Sequence, residues 1–306
     1  MRLVLGSTKK RLAGAVSALL AVLSSGCGPC VPAGGSGRPG ASTELRIVSL
    51  SPALSRTLVD FGLADHVVGR TPFCRSLDPG VPVVGSLLDV DYELLVKVMP
   101  THLLVQPPAG GIDPDLGALA AQHGWTVGEW HIDTIDDIER LILDLPGVLF
   151  DVDSPQHAEA VTRAAELVNE IAAVLSPGGD QRWPWRTLLV SDAHAVSVFG
   201  RGTYMNDLLV AMGGTNAIDV DGYPQLSLED VVRLDPEAII LIIPGLSQPA
   251  DPVAAAGALG TLEISAVRDG RVAWLAHPDV FVPSSGVVDV AREFRRVLRT
   301  LAGTGP

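Results

Sequence analysis

The stretch Asp91–Gln106, DYELLVKVMPTHLLVQ, occurs a second time as Ser227–Ile242, SLEDVVRLDPEAIILI. The two copies align without a gap, 136 positions apart. Each begins with a residue whose side-chain oxygen can cap a helix, and each reaches a proline, which a helix interior does not tolerate. Each then ends in an aliphatic run typical of a buried parallel strand. The repeat therefore predicts two similar α/β lobes, each with one capped helix that leads into one buried strand.

The rest of the sequence continues this alternation of strand and helix, which favours parallel sheets. Short strands are expected, for example, at Glu44–Leu50 and in Val81–Gly85, and a helix with capping-box spacing is expected over Thr134–Leu145. The longest helical pattern, PQHAEAVTRAAELVNEIAAVL, lies between the two copies of the repeat. A helix of that length spans roughly 30 Å, about the diameter of a domain.

We therefore predict the fold class α/β, with two lobes that each contain a central, mostly parallel sheet flanked by helices. One long rigid helix is expected to join the lobes. The predicted boundaries are an N-terminal lobe at 44–152, the linking helix at 153–176 and a C-terminal lobe at 177–306.

Residues 1–26 have the order of a secretory signal peptide: basic residues, a short apolar run and small residues before Cys27. The apolar run is too short to span a bilayer as a mature helix. The segment before Cys27 resembles a lipoprotein signal, so we expect lipidation of Cys27, with plain secretion as the alternative. Residues 27–43, rich in Gly, Pro, Ser and Ala, are expected to form a flexible tether that reaches roughly 20 Å. The protein is therefore expected outside the cytoplasm, as a membrane-anchored lipoprotein or a periplasmic protein.

Composition excludes several classes of function. The net charge is −13, and removal of residues 1–26 would lower it to −17, which argues against nucleic acid as a partner. No GxSxG, P-loop or HExxH motif is present, and no GxGxxG follows a predicted strand, so we expect neither catalysis nor a cofactor. The scattered histidines predict no metal site.

The cysteines Cys27, Cys30 and Cys74 are too few for a disulfide framework, although Cys30 and Cys74 could pair in an oxidising compartment.

Ligands of open parallel sheets bind beyond the carboxyl ends of the strands. The loops expected there, facing each other across a cleft between the lobes, carry aromatic, cationic and amide side chains. A cleft of this mixture suits a bulky, partly apolar ligand. The candidate ligand-binding residues are Phe73, Arg75, Gln106, His131, Phe199, Arg201, Tyr223, His277 and Phe281.

Glu93 and Glu229 occupy the same position in the two copies of the repeat. An acidic residue in the first turn of a helix stabilises that helix by itself. Two equivalent carboxylates, one on each lobe, would in addition form a matched pair that the arginines of a twofold-symmetric partner could bind.

Four segments in this order resemble the substrate-binding proteins of bacterial ABC importers for cobalamin and iron chelates. They are RIVSLSPALSRTLVDFGLADHVVG (46–69), VPVVGSLLDVDYELLVKVMPTHLLV (81–105), GRGTYMNDLLVAMGGTNA (200–217) and PQLSLEDVVRLDPEAIILI (224–242). The resemblance extends over roughly 44–301. It implies small hinge motion, capture of a cobalamin, ferric siderophore or haem between the lobes, and delivery to an ABC permease without catalysis. It also implies that Glu93 and Glu229 pair with permease arginines.

The sequence differs from the cobalamin binders at the positions that would contact the ligand. The cobalamin binders line the cleft with tryptophans. The corresponding positions here are Phe73, Leu87, Gln106, Ser197 and Tyr223. The choice among chelates therefore stays open. A docking or sensor lipoprotein on the same fold, without transport, is the alternative function, and a secreted hydrolase is disfavoured by the missing motifs.

Overall fold

Both copies of the repeat form the predicted helix and strand. The computed structural model describes residues 44–108, 110–176, 183–245 and 249–303. The side chain of Asp91 accepts a hydrogen bond from the backbone N–H of Leu94, and Ser227 accepts one from Asp230 in the same way. The predicted signal peptide, the tether, Cys27 and Cys30 lie outside the described residues.

The structure alternates strands and helices on both sides of one long helix. The first half comprises β1 (Ile47–Ser49), α1 (Pro52–Asp60), β2 (Val67–Arg70), β3 (Gly85–Ser86), β4 (Asp89–Val90), α2 (Tyr92–Lys97), β5 (His102–Val105), α3 (Pro114–His123), β6 (Thr126–Glu129) and α4 (Ile135–Leu149). The long helix is α5 (Pro155–Leu175). The second half comprises β7 (Arg186–Asp192), β8 (Ser197–Val198), α6 (Tyr204–Ala211), β9 (Thr215–Asn216), α7 (Leu228–Leu234), β10 (Ala238–Ile242), α8 (Pro252–Ala255), α9 (Ser265–Arg268), β11 (Val272–Leu275) and α10 (Val287–Leu301). Short 3₁₀ turns lie at Ala64–His66 and Gly257–Thr261.

The two lobes contain separate sheets with the same parallel strand order. The first sheet has the order β2-β1-β5-β6, and the second has β9-β7-β10-β11, with β8 added antiparallel to β7. Ile47 lies opposite His102 in the first sheet, and Thr187 lies opposite Ala238 in the second. Because His102 and Ala238 are equivalent in the sequence repeat, the strand register is repeated as well. The predicted α/β fold class is confirmed.

In each lobe an arginine directly before the central strand (β1) or at its first residue (β7) donates a hydrogen bond to the C-terminal end of the repeat helix, α2 or α7. Arg46 Nη2 donates to the carbonyl of Val98 at 2.7 Å, and Arg186 Nη2 donates to the carbonyl of Leu234 at 2.9 Å. Val98 and Leu234 are equivalent positions in the repeat. A cation at a helix C-terminus binds carbonyls that have no partner within the helix. The same contact thus fixes the helix to the sheet in both lobes.

Both copies leave the helix through a left-handed residue that is not glycine. Met99 has φ 46° and Asp235 has φ 43°, and each directly precedes the proline of its copy. This conformation costs an L-residue roughly 1–2 kcal/mol. At Asp235 the side chain offsets part of the cost, because it accepts hydrogen bonds from Ser265 N at 2.6 Å and from Ser265 Oγ at 2.9 Å.

The main apolar core is shared by the lobes. It contains Ile47 of the first sheet, Leu189 of the second, Leu141 of α4, Ile171 of α5 and Phe294 of α10. The opposite face of each sheet covers a core of its own. Accordingly, the described part of the chain groups into one compact unit. A shared, close-packed interior resists large relative movements of the sheets.

Two local expectations are wrong. Helix α4 does not end at Leu145 but continues through Pro146 to Leu149, which is buried in the shared core. Val81–Gly85 forms only an isolated bridge from Val83 to Arg70, and Gly85 starts the short β3–β4 hairpin. The predicted capping box at Thr134 and Asp137 is present. Among the described residues, the structure contains no helix that is both long and apolar enough to cross a membrane.

We predict that Met99→Gly increases the free energy of unfolding by roughly 0.5–1 kcal/mol, because glycine adopts a positive φ without steric cost. Met99 is 67% exposed, so little packing is lost. Asp235→Gly relieves the same backbone strain but removes the two hydrogen bonds to Ser265, and it should bring no gain. Urea unfolding of both variants measures the difference. A less stable Met99→Gly variant would refute the explanation.

Candidate ligand-binding cleft

The first lobe presents its candidate residues on loops that follow three different strands. Phe73 and Arg75 are exposed in the turn after β2. Thr71 and Cys74 anchor this turn: both are buried, Thr71 Oγ1 accepts from Phe73 N at 3.2 Å, and the Cys74 thiol lies 3.1 Å from the same oxygen. The anchored turn holds the Phe73 ring at the surface.

Gln106 and His131 follow the next two strands of the first sheet. The amide oxygen of Gln106 accepts from Ser51 Oγ at 2.8 Å, and Ser51 also caps α1. His131 is exposed between the buried side chains of Trp130 and Ile132. The ends of β1 and β5 are therefore tied together, while His131 stays accessible.

The second lobe brings three candidate residues together as one aromatic cluster, defined as Phe199, Tyr223 and Phe281. The Phe199 ring centroid lies 5.5 Å from that of Tyr223 and 6.2 Å from that of Phe281. Phe199 is only 2% exposed, whereas Tyr223 and Phe281 are 53% and 43% exposed. Phe199 thus acts as a buried support for two rings that face solvent.

Tyr204 connects this cluster to the first lobe. Its backbone N–H donates to the carbonyl of Asp133 at 2.6 Å, and its hydroxyl donates to the carbonyl of Val280. Burial raises the pKa of Tyr204 well above its ordinary value, so the hydroxyl remains a donor. Burial and the nearby Asp133 carboxylate also raise the pKa of Tyr223. The aromatic cluster therefore lies at the junction of the lobes and is uncharged at neutral pH.

A second contact at the junction joins α6 to the start of α4. The Asp207 carboxylate accepts from the backbone N–H of Ile135 at 3.1 Å. Burial raises the pKa of Asp207, with Asp136 and Asp137 adding to the effect, while the hydrogen bonds from Ile135 and Asn206 oppose it. One lobe thus supplies a helix cap for the other.

Arg56 brings a cluster of charges together between the lobes. From α1 it donates to Asp279 at 2.9 Å and to Asp289 at 3.1 Å, both in the second lobe, and to Asp60 on its own helix at 3.0 Å. Ser285 Oγ also donates to Asp60, at 2.7 Å. Burial lowers the pKa of Arg56, but the three carboxylates together raise it above its ordinary value, so the guanidinium stays charged.

The remaining cationic and imidazole candidates have partners within the second lobe. Arg201 pairs with Asp219 at 2.7 Å and with Asp221 at 2.9 Å on the surface. His277 Nδ1 accepts from Asp279 N at 3.1 Å, which leaves the hydrogen on Nε2. Within the described residues, no group of three or more His, Cys, Asp or Glu side chains could hold a metal ion.

Glu93 and Glu229 are both exposed in the first turns of α2 and α7. Each helix leads back toward the amino end of the parallel strand that follows it. Its first turn therefore lies near the carboxyl edge of its sheet, the edge where the candidate loops are.

Sequence reasoning missed the residues that join the lobes, above all Arg56, Tyr204 and Asp207. Arg56 and Asp279 are 223 positions apart, and no local motif marks such a contact. Tyr204 lies in an ordinary capped helix. The sequence offered one signal for these three residues: each lies in a segment that has apolar residues at helical spacing. A charged or hydroxyl group that is buried among apolar side chains requires a hydrogen-bonding partner.

The sequence profile of the periplasmic binding proteins matches residues 47–276, which is most of the chain and includes both sheets. The chain belongs to the periplasmic binding protein family. No curated protein sequence matches it.

Solved structures of this type have the same fold. The periplasmic vitamin B12 binding protein BtuF of Vibrio cholerae is 19% identical, with a TM-score of 0.62 over 84% of this chain and 97% of BtuF. The periplasmic haem binding protein HutB of Vibrio cholerae is 18% identical, with a TM-score of 0.65 over 85% and 99%. A possible iron-binding periplasmic protein from Staphylococcus epidermidis is 18% identical, with a TM-score of 0.65 over 83% and 98%. Similarity at these identities establishes the fold of a periplasmic binding protein.

We predict that Arg56→Gln lowers the free energy of unfolding by about 1–3 kcal/mol, because it leaves three carboxylates without their common cation. Arg140→Gln is the control: Arg140 makes one exposed ion pair, with Asp137, and its loss should cost less than about 1 kcal/mol. Denaturant unfolding of the two variants at pH 7 tests the prediction, and equal losses would contradict the role of Arg56.

Proposed function

We propose that this chain is an extracytoplasmic solute-binding protein that captures a bulky metal chelate, a cobalamin, ferric siderophore or haem, between its lobes. It would deliver the chelate to an ABC permease and catalyse no reaction. The observation that carries the proposal is the aromatic cluster, in which two half-exposed rings flank a buried third ring at the lobe junction. Proteins of the same fold are described as binding vitamin B12, haem and iron.

The chemistry of the junction suits such a ligand. Exposed aromatic faces stack on flat or partly apolar ligands and bury a large area for each side chain that is ordered. The Tyr223 phenol is neutral, so it costs little to cover, and it remains a hydrogen-bond donor. Phe73, Arg75, Gln106 and His131 would contact the ligand from the first lobe, and Arg201 and His277 would contact it from the rim of the second.

The arrangement of the lobes favours a cleft that is largely formed before the ligand arrives. We propose the lobes 44–152 and 177–306, with residues 153–176 as the linking helix. The shared core and the contacts of Arg56 and Tyr204 hold the two sheets in a fixed relation. Pre-organisation of this kind lowers the ordering cost of binding.

Glu93 and Glu229 would dock the protein on its permease. Both are exposed in the first turn of equivalent helices, so one carboxylate comes from each lobe. Arginines on a pseudosymmetric permease could bind the two together.

The N-terminal residues would keep the protein near the membrane. We propose that residues 1–26 are removed as a signal peptide and that Cys27 then carries lipid, with residues 27–43 as the tether. Lipid on Cys27 would anchor the protein to a membrane, although no helix of the described residues could span one.

We predict that a saturating chelate raises the free energy of unfolding by about 2.7 kcal/mol at a ligand concentration of 100 Kd. Tyr223→Ala combined with Phe281→Ala should weaken binding by at least about 10-fold, because both stacking faces are lost. Leu143→Ala removes an equally exposed apolar side chain from α4 and should leave binding unchanged. Calorimetric titration with cyanocobalamin, haem and ferric siderophores measures these effects. Absence of binding with all three classes would contradict chelate capture and favour a docking or sensor role.

We predict that Glu93→Lys combined with Glu229→Lys abolishes uptake of the chelate in cells while its affinity for the purified protein stays unchanged. Reversal of both charges would turn attraction to the permease arginines into repulsion. Glu159→Lys combined with Glu263→Lys changes the net charge equally at exposed positions elsewhere, and it should transport normally. Normal uptake with the first pair of substitutions would exclude the docking role.

We predict that Cys27→Ala releases the protein from the membrane fraction, because only the thiol can accept the lipid. Fractionation of cells followed by detection of the protein measures the change. Cys74→Ala is the matched control, since Cys74 is buried in the folded protein and should leave the protein in the membrane fraction. If the Cys27→Ala variant stayed with membranes washed in high salt, lipidation of Cys27 would not be the anchor.

A further inference from the structure

Helix α10 has an apolar face and a basic face. Its apolar face, which includes Phe294 and Val297, belongs to the shared core. Its other face carries Arg292, Arg295, Arg296 and Arg299, which together with Thr300 line a surface cavity of about 520 Å³. We call this cavity the arginine groove. Four guanidinium groups in one cavity stand out on a chain whose net charge is −13.

The arginines of the groove are held in place by the protein. Arg295 donates to the carbonyls of Val174 and, at 3.1 Å, Ser176 at the end of α5. Arg292 is paired with Asp289 at 2.9 Å, and Arg296 is paired with Glu293 at 2.9 Å. Each of these two acids lies three residues earlier on the same helix. Contacts of this kind orient guanidinium groups before a ligand arrives.

The groove nevertheless retains positive charge that these contacts do not neutralise. Arg295 is held by neutral carbonyls, and Asp289 divides its charge between Arg292 and Arg56. Arg292 and Arg296 remain 63% and 59% exposed, so their outer N–H groups can still reach a ligand. A cavity lined by one sign of charge concentrates the field and attracts the opposite ion.

We propose that the arginine groove binds a compact anion that carries phosphate groups. Guanidinium groups match phosphate oxygens in pairs of parallel hydrogen bonds, and the volume of the cavity is within the range of small-molecule sites. The net charge of the whole chain opposes an extended polyanion, whose distant charges would meet acidic surface. A compact anion interacts mainly with the groove, because screening over about 8–10 Å hides the rest of the protein from it.

This site is separate from the proposed chelate site and does not depend on it. The described residues that line the groove all lie on α10, and Phe199, Tyr223 and Phe281 are not among them. Loss of anion binding would therefore leave the capture of a chelate unaffected, and the two activities can be tested independently.

Calorimetric titration of the purified protein with inorganic pyrophosphate tests the proposal. Binding should be measurable at about 20 mM salt and should weaken by at least about 10-fold at 0.2 M salt. Arg292→Gln combined with Arg296→Gln should reduce the affinity by at least about 10-fold. Arg233→Gln is the matched control, because Arg233 also pairs with an acid three residues earlier, Asp230, but lies on α7. Equal binding by all variants, or no binding to pyrophosphate or to vesicles when the four arginines are intact, would overturn the proposal.

Vesicle flotation distinguishes a free anion from a lipid headgroup. Vesicles of phosphatidylglycerol and of phosphatidylcholine are mixed with the Cys27→Ala protein, which cannot carry the proposed lipid, and with the same protein that also carries Arg292→Gln and Arg296→Gln. Flotation with phosphatidylglycerol that is lost in the variant would identify the phosphate as part of a headgroup. Pyrophosphate binding without such flotation would identify a soluble anion. Flotation that persists in the variant, without pyrophosphate binding, would contradict a role of the groove.

Discussion

The guanidinium of Arg56 is the charged contact that joins the two lobes beside their shared apolar core. It comes from the first helix of the first lobe and binds two carboxylates of the second, while a third carboxylate, Asp60, is held by Ser285 from across the junction. A charge that is only partly exposed requires partners, and the partners here come from both lobes. The loop that carries Asp279 also carries Phe281, so the same ion pair positions one of the exposed aromatic rings.

The two lobes repeat each other in backbone but not in surface chemistry. Strand order, register, the arginine at the helix end and the left-handed residue before the proline all recur. These features concern how a helix is joined to a sheet, which both lobes require equally. The aromatic cluster belongs to the second lobe, and the exposed phenylalanine of the first lobe, Phe73, stands on a separate turn. A duplicated framework therefore presents an asymmetric surface, as an asymmetric ligand requires.

The sequence was sufficient for the features that depend on local pattern. Periodicity, caps and the two prolines predicted the repeat helices and the long helix α5 closely, because short-range hydrogen bonds and one-sided burial determine them. Tertiary packing decided the rest. Helix α4 continues past Leu145 because Leu149 gains a place in the shared core, and Phe199 is buried because Tyr223 and Phe281 cover it. Contacts such as Arg56 with Asp279 join distant parts of the chain and leave no periodic trace in the sequence.

Asp289 links the junction of the lobes to the arginine groove. One of its carboxylate oxygens accepts from Arg56, and the other accepts from Arg292. A carboxylate that accepts from two guanidinium groups divides its charge between them, so Asp289 alone neutralises neither Arg56 nor Arg292. Asp289 on helix α10 is therefore a partner both of Arg56, which joins the two lobes, and of Arg292, which lines the arginine groove.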